Sequence, residues 1–170
     1  MTTYKDISAR YGAFHDARVL HFRRLQSEAA QFCQRYEQSL ELLRTHWQEP
    51  QGETHNYVHL GRIGADGKFQ SCDQFSLPGK ASDNSVGFAI LLTLEKGPEL
   101  HPKIGYVIPL NIISFGQLLR FKLLESGHEF EVNPTDVEDR YAVICSAISQ
   151  EVMKEFDPAL FNPSLSIAEW

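Results

Sequence analysis

Four side chains suited to acid–base or metal chemistry lie near one another in the sequence: His55, His59, Cys72 and Asp73. An Asp that orients a His is the arrangement that a general base or a metal ligand needs. The turn sequence between them predicts a hairpin that places His59 opposite Asp73. These two residues are therefore the catalytic candidates, and the enzyme that they would form is a hydrolase.

A polar contact between neighbouring strands explains the same cluster without chemistry. Cys72 would point to the opposite face of the sheet, and the spacing of the cluster matches no established zinc pattern. The sequence contains no Walker phosphate loop, no Gly-x-Ser-x-Gly nucleophile elbow and no His-Glu-x-x-His motif. We therefore expect a non-enzymatic protein without a metal ion or cofactor.

The close spacing of Gly61, Gly64 and Gly67 resembles that of a glycine-rich phosphate-binding loop. They lie within the predicted hairpin, and no helix follows to supply a positive N-terminus for phosphate. We interpret all three as turn glycines.

The first element that must position these residues is one long helix over residues 14–47. Its apolar residues recur every three or four positions, which is the period of an amphipathic α-helix. At about 1.5 Å per residue the helix would be roughly 51 Å long, whereas a ten-residue strand reaches only about 33 Å. The helix is therefore expected either to bend or to extend beyond the sheet. The stripe consists of Phe22, Leu25, Ala29, Phe32, Tyr36, Leu40, Leu43 and Trp47.

Residues 57–132 read as antiparallel strands joined by turns. A three-residue loop with Gly67 in the left-handed conformation would pair Ile63 with Phe69. A second hairpin would turn at Ser126-Gly127 and pair Leu123 with Phe130.

The two most apolar stretches lie between these hairpins. Val86–Leu94 lacks polar alternation, so it is predicted to be a central strand. Ile104–Phe115 contains Pro109, which cannot donate a ladder hydrogen bond, so this stretch is predicted to be an edge strand or to break there.

A second helix is predicted over residues 136–156, with Thr135 as its N-cap and Glu138 completing a capping box. The tail over residues 157–170 is expected to dock through its apolar side chains. The inward-facing residues of the helix would be Val137, Tyr141, Ile144, Ile148, Val152 and Phe156, and those of the tail Leu165, Ile167 and Trp170.

Together these elements predict a single α+β domain over residues 1–170. An antiparallel sheet of five or six strands would carry both helices on one face and expose a polar second face.

The net charge of −6 disfavours nucleic acid as a partner, because phosphate binding needs a concentrated basic surface. No apolar run approaches the roughly 18 residues of a membrane span, and the first residues resemble no secretion signal. The three widely spaced cysteines form no Cys-x-x-Cys pair. We expect a cytoplasmic protein that does not interact with membranes.

The leading functional hypothesis is a protein-binding module of the adaptor, inhibitor, immunity or secretion-chaperone type. Small bacterial accessory proteins share its shape and charge, so the hypothesis is an analogy at that level. The overlong helix favours a homodimer joined partly through that helix. The expected interface residues are Phe32, Tyr36, Leu40, Leu43 and Trp47.

The alternative is a small-ligand sensor with an apolar pocket between the sheet and the second helix. Its pocket would be lined by Phe88, Ile90, Phe121, Phe130 and Tyr141. A hydrolase that uses His59 and Asp73 is the least favoured hypothesis.

Overall fold

A computed structural model describes residues 1–136 and 138–161, and it has the predicted α+β architecture. Single 3-10 turns occupy Gln74–Ser76 and Pro158–Leu160. The elements in chain order are α1 (Tyr4–Ser39), β1 (His46–Gln48), β2 (Thr54–Asn56), β3 (Val58–Ile63), β4 (Phe69–Ser71), β5 (Gly79–Lys80), β6 (Ser85–Leu94), β7 (Ile104–Phe115), β8 (Leu118–Leu123), β9 (Glu129–Val132) and α2 (Ala142–Glu155).

The main sheet is antiparallel, with the strand order β4-β3-β6-β7-β8-β9, and the two-residue β5 pairs with the start of β6. It therefore has seven strands, where five or six were predicted. β1 and β2 form a separate two-stranded ribbon. One hydrophobic core joins α1, α2 and the inner face of the main sheet, which confirms the fold class.

The predicted bounds of the first helix, residues 14–47, are wrong at both ends. The helix begins with a capping box, in which the Thr3 hydroxyl accepts from the Asp6 N–H while the Asp6 carboxylate accepts from the Thr3 N–H. It ends at Ser39, and Glu41 then turns the chain with a positive φ of 48°. Gly12 stays within the helix despite its roughly 1 kcal/mol disadvantage relative to Ala.

Trp47 shows why the helical period did not continue. It lies on β1, where it pairs with His55 of β2. Gly52, at a φ of 95°, closes the turn between the two strands and donates its N–H to the Glu49 carbonyl at 2.9 Å. A left-handed glycine permits this tight turn, so the ribbon replaces the last helical turns.

The first predicted hairpin is confirmed. Ile63 pairs with Phe69, and Gly67 has a φ of 76° in the loop. Gly61, however, is not a turn glycine: it lies within β3, and a Cβ there would clash with the backbone carbonyl oxygen of Gln70 and lie 2.5 Å from the Phe69 ring. The close approach of the neighbouring strand explains why the position has no side chain.

The second hairpin has a different register from the predicted one. Phe121, not Leu123, pairs with Phe130, and Lys122 pairs with Glu129. The loop spans four residues and is closed by a hydrogen bond from the Gly127 N–H to the Leu123 carbonyl at 2.8 Å. A shift of two residues leaves every side chain on its expected face, because strand side chains alternate with period two.

β6 is central, as predicted, but the expectation that β7 is an edge or broken strand is wrong. β7 pairs with β6 on one side and β8 on the other. The Pro109 carbonyl accepts a hydrogen bond from the Leu124 N–H at 3.0 Å. In an antiparallel strand the N–H and the carbonyl of one residue point to the same side, so the nitrogen of Pro109, which has no N–H, also faces the β8 side. Because β8 ends at Leu123, the missing N–H of Pro109 interrupts no hydrogen bond of the β7–β8 ladder.

The second helix begins at Ala142 rather than at residue 136. The side chain of Thr135 bonds to Asn133 instead of capping a helix, and the N-cap residue Tyr141 forms no side-chain cap. Ile144, Ile148 and Val152 are buried as predicted. Val137 and the tail residues Leu165, Ile167 and Trp170 lie outside the described residues, so their predicted packing remains a prediction.

The outer face of the main sheet is less polar than predicted. Leu91, Val107 and Ile113 lie half-buried at its centre. Ion pairs cover the β8–β9 side of this face, where Arg120 bonds to Glu131 at 3.2 Å. Among the described residues, neither helix combines the length and apolar character that a bilayer crossing requires.

Candidate functional site

No hydrogen bond or ion pair joins His59 to Asp73 in the part of the chain that the structure describes. His59 lies on β3 opposite Leu91 of β6. Asp73 caps the 3-10 turn that follows β4, and its carboxylate accepts from the N–H of Ser76 at 3.0 Å and from its hydroxyl at 3.2 Å. The Asp73 carboxylate therefore bonds to its own turn, and a hydrolase that uses His59 and Asp73 stays a prediction.

His55 instead meets two carboxylates that the sequence interpretation had not considered. Its Nε2 lies 2.9 Å from Glu49 Oε1 and 3.8 Å from Glu53 Oε2, and the ring stacks against Trp47 with centroids 4.8 Å apart. These three groups could hold a divalent cation. An ion pair with protonated His55 explains the same geometry, so we assign no function to it.

The residues predicted to line a ligand pocket contribute to the hydrophobic core. Phe88, Ile90, Phe121 and Tyr141 are all buried. The rings of Phe88 and Phe121 lie 6.4 Å apart, and those of Phe121 and Tyr141 lie 5.8 Å apart. Phe130 is half-buried beside them. These aromatic contacts stabilise the core. Phe130 also borders an open cavity of about 350 Å³ between β9 and α2.

The expected interface residues are divided between the core and the surface. Phe32 and Tyr36 are fully buried within the domain, so they present no surface to a partner. Leu40 and Trp47 are half-buried, while Leu43 is fully exposed in the segment after α1. Phe32 and Tyr36, the two predicted interface residues that lie on α1, are therefore covered by the domain itself.

The exposed apolar surface lies at the opposite end of the helix. Every residue from Tyr4 to Leu20 is exposed, and we call this segment the free half of α1. Its 17 residues extend about 26 Å at 1.5 Å per residue. The exposed fractions are 84% for Tyr4, 59% for Ile7, 68% for Tyr11 and 62% for Phe14. Their spacing of three, four and three residues places all four on one face.

That face is a continuation of the face that packs on the sheet. At about 100° per residue, the apolar residues of both halves fall within an arc of about 80°. Arg18 lies on the same arc, and its guanidinium is 5.6 Å from the Phe22 ring. The residues of the packed half are Phe22, Leu25, Ala29, Phe32 and Tyr36.

The free half also differs from the rest of the chain in charge. It contains three basic residues, Lys5, Arg10 and Arg18, and two acidic residues, Asp6 and Asp16, within a chain whose net charge is −6. Two further basic residues, Arg23 and Arg24, follow within four positions of its end. An apolar face between basic side chains is typical of a helix that packs against another surface.

A polar cluster sets the position of α1 relative to α2. The Arg140 guanidinium donates to Glu28 Oε2 at 3.0 Å and to Gln31 Oε1 at 2.9 Å, and the Tyr141 hydroxyl also donates to Glu28. Burial, and then the Glu28 carboxylate, raise the pKa of Tyr141 above its usual value. These charge-assisted bonds hold α1 against the segment that precedes α2, and so they set the direction in which the free half extends.

Comparison with known proteins identifies no relative: no protein-family model, no curated protein and no solved structure matches this chain.

Proposed function

We propose that this protein is a non-enzymatic protein-binding module that acts as a homodimer, and that the free half of α1 joins the two copies. The observation that carries the proposal is the continuous apolar face of α1, which is covered from Phe22 to Tyr36 and exposed from Tyr4 to Phe14. Exposed apolar surface of this extent on one helix face is a mark of an interaction site.

The area of the exposed face supports a second copy as its occupant. A buried aromatic side chain contributes roughly 150–250 Å². With the exposed fractions of Tyr4, Ile7, Tyr11 and Phe14, two copies would bury on the order of 1,000 Å² in total. That area is at the lower limit for a specific interface, so the dimer is expected to dissociate on dilution.

The position of Arg18 favours an antiparallel arrangement of the two helices. A parallel pair in register would place the two Arg18 side chains against each other, and like charges at one position oppose pairing. An antiparallel pair centred on Tyr11 would instead place Arg18 opposite Tyr4 of the second copy. An arginine over a tyrosine ring is a favourable cation–π contact.

Light scattering combined with gel filtration tests the proposal over a range of protein concentrations. The wild-type protein is expected to show twice its chain mass of 19.4 kDa at high concentration. A Tyr11→Asp, Phe14→Asp variant is expected to stay monomeric, because it removes two of the four exposed apolar side chains that form the proposed interface. Leu20→Asp is the matched control, since Leu20 is 66% exposed but lies on the opposite side of the helix.

Two results would contradict the proposal. One is a wild-type monomer at every concentration. The other is a double variant that dimerises as well as the wild type. Loss of the dimer in both the double variant and the Leu20→Asp control would likewise place the interface elsewhere on the helix.

A further inference from the structure

A second exposed apolar surface lies near the end of β6 and the start of β7. It is an open groove of about 830 Å³ between the C-terminal end of α2 and the loop that joins β6 to β7. Leu100, Ile104, Met153 and Phe156 line it, and each of them is at least half exposed. A groove of this size and apolar character can hold a short peptide segment.

The chain leaves α2 at the wall of this groove. Phe156, the residue after α2, is part of the lining, and only the 3-10 turn Pro158–Leu160 separates it from Phe161. Nine further residues, 162–170, lie outside the described part of the chain. Fully extended they reach roughly 30 Å, which is ample to return to a groove that begins five residues before Phe161.

The sequence of this segment is complementary to the groove. Leu165, Ile167 and Trp170 are apolar, and its one charged side chain is the acidic Glu169. The lining of the groove includes one acidic residue, Glu95, and two residues with basic side chains, Lys96 and His101. Glu95 already bonds to Lys103 and to the Tyr57 hydroxyl, which leaves Lys96 and His101 to face an incoming acidic group. Apolar side chains would thus meet apolar walls, and the single acidic group could reach a basic one.

We propose that the segment 162–170 of the same chain docks in this groove, with Leu165, Ile167 and Trp170 against its apolar walls. Docking hides a large apolar surface that would otherwise face water. It also makes the segment an internal competitor, so an apolar segment of any other protein must displace it to bind there.

Tryptophan fluorescence of the full-length chain tests the docking directly, because the chain has two tryptophans, Trp47 and Trp170. In a Trp47→Phe protein, Trp170 is the only tryptophan. Its emission is expected at shorter wavelength than that of a synthetic peptide of residues 162–170 in the same buffer, and it should be protected from acrylamide quenching.

Substitutions in the groove test which surface the tryptophan contacts. In the Trp47→Phe background, Ile104→Asp and Met153→Asp are each expected to shift the emission to that of the free peptide. Phe75→Asp is the matched control, since Phe75 is a similarly exposed apolar residue outside the groove. Circular dichroism identifies any variant that has lost its fold. Ile104 lies on β7 and Met153 on α2, so if one substitution unfolds the protein the other still tests the groove.

The proposal is overturned if Trp170 in the Trp47→Phe protein emits and is quenched like the free peptide. It is also overturned if folded Ile104→Asp and Met153→Asp proteins both keep the blue-shifted emission. Emission that shifts with protein concentration would place the segment in the groove of a second copy and would exclude docking within one chain.

Discussion

The carboxylate of Glu28 on α1 accepts a hydrogen bond from the hydroxyl of Tyr141, the residue immediately before α2. Glu28 is 8% exposed, and Arg140 donates to both of its carboxylate oxygens, at 3.2 and 3.0 Å. A charge that is buried in this way must keep its partners, because the desolvation cost remains when they are removed.

Glu28→Ala is therefore expected to lower the free energy of unfolding by about 3–5 kcal/mol, since it leaves Arg140 partly buried without its counter-charge. Arg44→Ala is the control, because it breaks an exposed ion pair with Glu99 and is expected to cost less than about 1 kcal/mol. Urea unfolding measures both. Equal losses for the two variants would mean that the Glu28 cluster contributes no more than a surface pair.

The placement of the expected interface residues leads to a second stability test. Phe32→Ala is expected to cost about 3–5 kcal/mol, because its buried ring contacts those of Phe88, Phe121 and Tyr141. Leu43→Ala, at a fully exposed position, is expected to stay within about 0.5 kcal/mol of the wild type. Thermal unfolding of both variants is the measurement. A small effect of Phe32→Ala would show that its side chain does not lie in the core.

Glu95 is expected to contribute to the pH dependence of stability. A hydrogen bond from Lys103 Nζ at 2.5 Å, with a further one from the Tyr57 hydroxyl at 2.7 Å, lowers the pKa of Glu95 below its usual 4.5. Because the folded-state pKa is the lower one, the contribution is complete above pH 4.5 and is lost as the pH falls through the folded-state value.

The Glu95→Gln variant is thus expected to be less stable than the wild type at neutral pH and to approach it below pH 4.5. Urea unfolding at a series of pH values checks this. A constant difference between the two proteins across the series would rule out Glu95 as the group that titrates.

Much of the helical architecture was readable from local sequence. The spacing from Phe22 to Tyr36 predicted the face of α1 that packs on the sheet, since a helical period depends only on neighbouring residues. The start of the helix was also readable, because Thr3 and Asp6 have the spacing of a capping box. The sequence also contains the apolar spacing of the free half, but the predicted start of the helix at residue 14 left most of that segment out of the predicted helix.

The contacts of the candidate catalytic residues could not be read from the sequence. The predicted hairpin placed Asp73 opposite His59, whereas the hydrogen bonds of the Asp73 carboxylate go to Ser76 in a local turn. Side chains of Asp often bond to nearby backbone groups and so end a strand. The second helix shows the same limit, because the Thr135 side chain, which was predicted to cap it, bonds to Asn133 instead.

By itself, the sequence determined the fold class, the packed face of α1, the first hairpin and the central position of β6. These features follow from periodicity and turn chemistry, which are properties of a few adjacent residues. Only the tertiary structure decided that Phe32 and Tyr36 are covered while Tyr11 and Phe14 are exposed. All four residues have the same pattern along one helix face, and what separates them is where the sheet lies beneath that face, which depends on contacts between residues far apart in the chain.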